Sequence, residues 1–227
     1  MVANSKVWDP TMVMRLQKAT GCTFHEVTEK SDLTLENLLR INPRFIFFPH
    51  WSFIVPDKIF QSFDCIIFHM TDLPYGRGGS PLQNLILRGH RETVICATQC
   101  IDEVDAGPIY LRRNLSLAGS AQEIYLRASE KIYEMILEII RSEPNPEDQV
   151  GSAVLFERRE SQDSELRDLN SLEELYDFIR MLDAEGYPRA FLNFKNFRIE
   201  FKSAVTDGDS VTASVLITDR TKDQNGC

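Results

Sequence analysis

The chain has 227 residues, with 34 Asp and Glu against 25 Lys and Arg, a formal net charge of −9 and a pI near 5.0. Apolar residues make up 43% and aromatic residues 10%, which supports a real core and excludes a generally disordered chain. The acidic balance argues against broad binding to nucleic acid or anionic membranes, because polyanion affinity rests on Lys and Arg neutralising phosphates.

Residues 1–16 hold no apolar run long enough for a signal peptide, and the greasiest stretch, 45–60, is broken by Pro49 and Pro56. A cytoplasmic protein that crosses no membrane is therefore expected. Cys22, Cys65, Cys96, Cys100 and Cys227 are scattered and form no CxxC pair. They read as reduced thiols, not as a disulfide frame or a metal site.

Asp9 and Pro10 open a helix predicted over 10–19, and residues 23–27 follow as a strand. A second helix, 34–40, is opened by Ser31 or Thr34 with Glu36 in its first turn, before strands at 44–48 and 65–69. Pro81 starts a helix over 81–88 that Gly89 stops; 93–100 and 109–114 are strands. Residues 120–142 form a long amphipathic helix with Ile124, Ala128, Ile132, Met135, Ile136 and Ile139 on its apolar face. Strands alternating with helical periods predict an α/β layer of crossover units around a parallel sheet.

Composition then changes. Residues 143–148 are rich in Pro and acid and 157–168 are almost wholly polar, so this stretch reads as a linker. Ser171 with Glu174 forms a capping box for a helix at 171–183, and 188–194, 196–205 and 211–217 read as short strands. The expected organisation is a domain at 1–145 and a linker with a small α+β appendage at 146–227, with 219–227 frayed.

His69 ends an apolar strand and precedes the turn-rich run Leu73-Pro74-Tyr75-Gly76-Arg77-Gly78-Gly79-Ser80-Pro81. Ligands of open α/β sheets bind at the carboxyl ends of strands, where a catalytic imidazole belongs, although such a His also serves as a hydrogen-bonded core residue. The glycines match neither a dinucleotide fingerprint nor a P-loop. Three carboxylates, Asp102, Glu103 and Asp105, lie in a second turn that reads either as a solvated acidic loop or as the partner that orients His69.

The run from His69 through Pro74, Arg77 and Gly78 to Pro81 and Gln83 resembles the core motif of the formyltransferases that use 10-formyltetrahydrofolate. Asp105-Ala106-Gly107-Pro108-Ile109 resembles that family's second motif, and the likeness extends over about residues 45–140. It implies a Rossmann-like, mostly parallel sheet flanked by helices, with a shortened N-terminal strand and the C-terminal appendage. It also implies 10-formyltetrahydrofolate as formyl donor, with His69 and Asp105 as catalytic residues and no metal. Trp51, Phe53 and Ile54 become the folate wall, closed from the other side by Asp102 and Glu103, while Lys6, Trp8, Tyr75 and Arg77 become acceptor-binding residues. Each has a plainer reading: core aromatics, a surface Lys, an Arg bracing its own turn.

The family's Asn-x-His pattern places its Asn at Ile67, which has no donor for the formyl oxygen. Thr71, a backbone N–H and His69 as imidazolium are the candidates to replace it. The run Phe68 to Gly78 looks most like the branch that N-formylates nucleotide-linked 4-amino-4,6-dideoxy sugars for bacterial surface glycans of the pseudaminic-acid type. The resemblance thus implies a nucleotide sugar and folate as partners, no nucleic acid, and a possible homodimer through the long helix or the tail. Other members act on methionyl-tRNA or other amines, or hydrolyse formyltetrahydrofolate; a non-catalytic binding module would also account for Ile67.

Overall fold

The computed structural model describes residues 1–221. They divide into two compact units, one made of residues 1–81, 92–115 and 125–156, the other of 82–91, 116–124 and 157 onward.

In the first unit, β1 (Val2–Ala3), β2 (Glu26–Val27), β3 (Phe45–Phe48), β4 (Asp64–His69), β6 (Glu92–Gln99) and β7 (Ile109–Ser116) form one sheet in the order β2-β1-β3-β4-β6-β7. The strands β2, β1, β3 and β4 run parallel, and β6 runs antiparallel to β4. The mostly parallel α/β expectation therefore holds. The first strand is present but only two residues long, as its short sequence implied. Ile46, Phe47 and Phe48 are all buried, the continuous apolar run that a central parallel strand needs because both faces are covered.

Helices α1 (Met12–Thr20), α2 (Leu35–Ile41) and α3 (Asp57–Phe60) link these strands. Asp9 accepts a hydrogen bond from the Thr11 N–H at 2.8 Å, and Thr34 caps α2 by accepting from the Asn37 N–H at 3.2 Å. From β1 the chain moves outward to β2 and then returns past β1 to β3. That reversal opens a crevice above the carboxyl ends of β1 and β3. In α5 (Ala121–Ser142) the six residues expected on the apolar face are all buried.

Residues 143–156 are more than a linker. Val154–Phe156 forms β8, which pairs in parallel with β5 (Tyr75–Gly78) in a separate two-stranded sheet. The pairing shifts register between Tyr75 and Arg77, so Gly76 has no partner in the ladder. Helical and strand periodicity cannot reveal such short strands, whose alternation is too brief to count.

The second unit contains most of α4 (Pro81–Leu87), a 3-10 turn over Ser161–Ser164, α6 (Leu172–Arg180), and the antiparallel sheet β11-β10-β9. Its strands are Phe191–Phe194, Phe197–Thr206 and Val211–Asp219. Ser171 accepts from the Glu174 N–H at 3.1 Å, while the Glu174 carboxylate reaches back to the N–H of Asn170, one residue earlier than a standard box. Arg180 and Asp177 are buried together: Arg180 Nε donates to Asp177 Oδ1 at 2.6 Å, and Nη1 donates to the carbonyls of Leu117 and Gly119. The end of the tail expected to fray lies, from residue 222, outside the described residues, as does Cys227. Cys22, Cys65, Cys96 and Cys100 are free thiols, and no described helix is long and apolar enough to cross a membrane.

Candidate active site

His69 is the last residue of β4, and its ring is buried. Nε2 lies 2.8 Å from the carbonyl oxygen of Gly76, and Nδ1 lies 3.3 Å from Asp105 Oδ2. A carbonyl only accepts, so Nε2 carries a proton and donates it. A neutral ring would then aim its Nδ1 lone pair at a carboxylate, whereas the imidazolium presents a second N–H. The Asp105 carboxylate faces Nδ1 and so orients the ring.

Asp105 has φ 54°, in the left-handed region, which Asp tolerates better than most residues but which must still be held in place. Four contacts hold it. The Gly78 N–H donates to Asp105 Oδ2 at 2.9 Å. Gln149 Nε2 donates to the carbonyls of Asp105 and Gly107, both at 2.8 Å. Thr98 Oγ1 donates to the Gly107 carbonyl at 2.7 Å. The backbone at Gly107 also lies against β6, where a Cβ would fall 1.9 Å from the Gln99 carbonyl oxygen. The DxGP turn is thus pressed onto the end of β6, which fixes the reach of Asp105 toward His69.

Arg77 is committed to the same brace. Its Nε and Nη2 donate to Gln149 Oε1 at 3.1 and 2.9 Å, and Nη1 pairs with Glu103 at 2.7 Å. The bracing role that Arg77 allowed is the one its contacts describe. Glu103 is engaged at that guanidinium, and Asp102 is exposed. Tyr75 stands edge-on to Phe156 with ring centroids 5.3 Å apart. Leu73-Pro74 is a cis peptide, and a shallow groove of about 500 Å³ opens beside it between Asp72, Tyr75, Arg112 and Ser152.

Ile67 projects from the same face of β4 as His69, two residues on. It packs at the margin of the cluster that holds Ile46, Phe48, Ile59 and Cys65. Thr98 stands across from it in the β4–β6 register. Thr71 is fully buried, and its hydroxyl donates to the Gly76 carbonyl at 3.3 Å, the same oxygen that His69 contacts.

After β3, Trp51 packs edge-on against Phe48 and Phe53 at 5.9 and 5.3 Å, and its indole N–H is buried without a hydrogen-bond partner. Phe53 is 43% and Ile54 73% exposed, so Trp51 and Phe53 share one aromatic edge while Ile54 points to solvent. Above β1, Trp8 stacks on Tyr125 with centroids 4.8 Å apart, and His50 meets both rings edge-on. His50 Nε2 lies 2.9 Å from Ser129 Oγ, and burial pushes its pKa down to about 3, so the ring is neutral. The half-buried Lys6 belongs to the same loop.

Sequence reasoning missed Gln149, Thr98 and Ser129. Gln149 falls in the stretch read as a linker, and nothing local in its neighbourhood marks a side chain that closes a turn 44 residues earlier in the chain. Thr98 was visible only as a strand residue. Ser129 lies on α5, on a face read solely for its apolar content.

A family model described as methionyl-tRNA formyltransferase, C-terminal domain, matches residues 161–218. The solved structure of a methionyl-tRNA formyltransferase from Clostridium thermocellum superposes with a TM-score of 0.92 at 44% identity, over 96% of this chain and 97% of that one. The methionyl-tRNA formyltransferase of Malacoplasma penetrans (strain HF-2) is 27% identical over 199 residues, which cover 83% of this chain and 62% of the relative. The chain thus spans about three-fifths of that curated relative's length. A sugar N-formyltransferase from Shewanella sp FDAARGOS_354 shares the fold at a TM-score of 0.66, with 12% identity over 96% of each chain.

These findings correct two expectations. The nucleotide-sugar acceptor, with its place in surface-glycan synthesis, is overturned by the 44% likeness to a tRNA-acting enzyme against 12% to the sugar-acting one. The motif from His69 to Gln83 is one that the resemblance shares across acceptor branches, so it could not discriminate among them. The exclusion of nucleic acid falls with it. A net charge of −9 is a sum over the whole chain, whereas binding reads the local field. The small α+β appendage contains the segment matched by the C-terminal family model.

Proposed function

This chain belongs to the methionyl-tRNA formyltransferase family, and from that premise we propose that it transfers the formyl group of 10-formyltetrahydrofolate to the amine of methionyl-tRNA. The observation that carries the reading is the His69–Asp105 pair, held at the carboxyl end of β4 by a turn with no slack. The folate supplies an activated one-carbon unit. Trp51 and Phe53 are the residues that would hold its ring system, since an aromatic edge with an unpartnered indole N–H fits a flat heterocycle rich in acceptors.

Each residue has a task in this reading. His69, paired with Asp105, donates its Nε2–H where negative charge develops on the formyl oxygen. Asp105 fixes the ring's orientation and stabilises its charge. Gln149 and Arg77 keep Asp105 at that distance without touching substrate. Trp8 and Tyr125 wall the crevice above β1 where an acceptor would enter, and the neutral His50 behind them adds no competing charge.

The test is direct. The purified protein is incubated with 10-formyltetrahydrofolate and methionyl-tRNA, and the aminoacyl ester is examined by mass spectrometry. Formylmethionyl-tRNA is expected. Intact, unformylated methionyl-tRNA after prolonged incubation would refute the reading, and formate released without acceptor would point to a hydrolase instead.

A further inference from the structure

Two buried donors converge on one oxygen. His69 Nε2 and Thr71 Oγ1 lie 2.8 and 3.3 Å from the carbonyl oxygen of Gly76. Two preorganised donors aimed at a single acceptor in a water-excluded place are what an oxyanion hole requires. Here the chain's own carbonyl fills it.

That carbonyl is able to leave. Gly76 sits at the register shift between β5 and β8, so it has no ladder partner whose bond would be lost. Turning that carbonyl rotates ψ of Gly76 and φ of Arg77, the peptide plane that also carries the Arg77 N–H, and a residue without a Cβ leaves the Gly76 side of that plane the widest backbone range. A Cβ at this position would lie 2.7 Å from both the Phe156 ring and the Thr71 methyl, so the residue must be Gly for the carbonyl to reach the two donors at all.

We propose that Thr71 is a catalytic residue, the oxyanion donor that replaces the Asn missing at Ile67, and that the Gly76 carbonyl occupies the formyl-oxygen position until the donor binds. This rests on the transferase reading above. The other hydroxyl nearby does not serve: Thr98 Oγ1 donates into the Gly107 and Pro108 carbonyls of the turn bearing Asp105, and it shares no acceptor with His69. In the reaction, the acceptor amine forms a bond to the formyl carbon while the carbonyl electron pair moves onto oxygen, between His69 and Thr71. The pair then returns, the bond from carbon to the folate nitrogen breaks, and the proton lost by the amine ends on that nitrogen. Nothing is oxidised or reduced.

The experiment compares wild type, Thr71→Val and Thr71→Ser, with circular dichroism to verify folding. Thr71→Val keeps the methyl beside Gly76 and removes only the hydroxyl. It is expected to lower kcat for formyl transfer by about a hundredfold with KM for the formyl donor within threefold, and Thr71→Ser to stay within tenfold of wild type. A Thr71→Val enzyme with kcat within threefold of wild type overturns the role of Thr71 and leaves the transferase reading standing. A wild type that transfers no formyl group removes both. Independently of turnover, the His69 Nε2–H resonance in ¹H–¹⁵N spectra is expected to move when a non-transferable 10-formylfolate analogue binds, because its acceptor changes. A resonance unmoved with the analogue bound overturns the exchange of oxygens.

Discussion

Asp105→Asn isolates the charge of the pair from its geometry. Asn accepts a positive φ as readily as Asp, so the turn held by Gln149 and Thr98 stays in place and a neutral amide meets His69. At 3.3 Å and an effective dielectric of about 20, the attraction lost to an imidazolium formed at His69 in the transition state is about 5 kcal/mol. The amide oxygen can still accept from the Gly78 N–H, whose bond to the carboxylate is 2.9 Å, and this dipole recovers part of the loss. A net effect of about 3 kcal/mol on the transition state remains, at the low end of what breaking a buried pair costs, and that is about a hundredfold in kcat. Single-turnover formyl transfer under saturating donor measures it, with the thermal midpoint checked alongside. A variant within threefold of wild type would show that the carboxylate charge takes no part. An equally large fall in stability would assign Asp105 to the fold and not to the chemistry.

Other expectations concern stability. Arg180→Met leaves Asp177 with only the half-exposed Arg91 and strands the carbonyls of Leu117 and Gly119; a loss of about 3–5 kcal/mol is expected, read as faster hydrogen exchange across α6, and a change below about 1 kcal/mol would contradict it. Gly107→Ala drives a Cβ into the Gln99 carbonyl oxygen and should displace the acidic turn, so that transfer activity falls more than a hundredfold; crystals of a variant with an unmoved turn would refute the steric argument. For His50, whose folded pKa is lowered to about 3, the unfolded ring takes up a proton near pH 6.5 that the folded one refuses. Its contribution is intact above pH 6.5 and is lost as pH falls toward 3, so His50→Asn should flatten the decline of the unfolding free energy between pH 6.5 and 4.5, and an unchanged slope would remove His50 from the account.

The sheet was readable where burial is continuous. Strands β3 and β4 announce themselves as Phe45-Ile46-Phe47-Phe48 and Cys65-Ile66-Ile67-Phe68, and α5 announces itself through six apolar residues on one stripe. Caps at Thr34 and Ser171 were equally plain, since each rests on a hydroxyl that accepts from a backbone N–H three residues on. The pair of His69 and Asp105 was reachable only through motif resemblance, because 36 positions separate residues that a folded sheet brings to 3.3 Å. Gln149 was unreadable for the same reason without a motif to help. The acceptor was misread because the motif residues are shared across branches, and a whole-chain charge says nothing about where the charges lie.

Strand β8 and Gln149 carry a consequence for how such a chain can be cut and recombined. The compositional break at 143–148 looks like a natural seam, yet the first unit runs on to residue 156. A fragment ending at residue 145 would lose both the glutamine that holds the acidic turn and the strand that seats Gly76. An inherited or engineered exchange of C-terminal modules preserves the chemistry only if its crossover lies beyond Phe156. The 14 residues that follow α5 must travel with the sheet that carries His69.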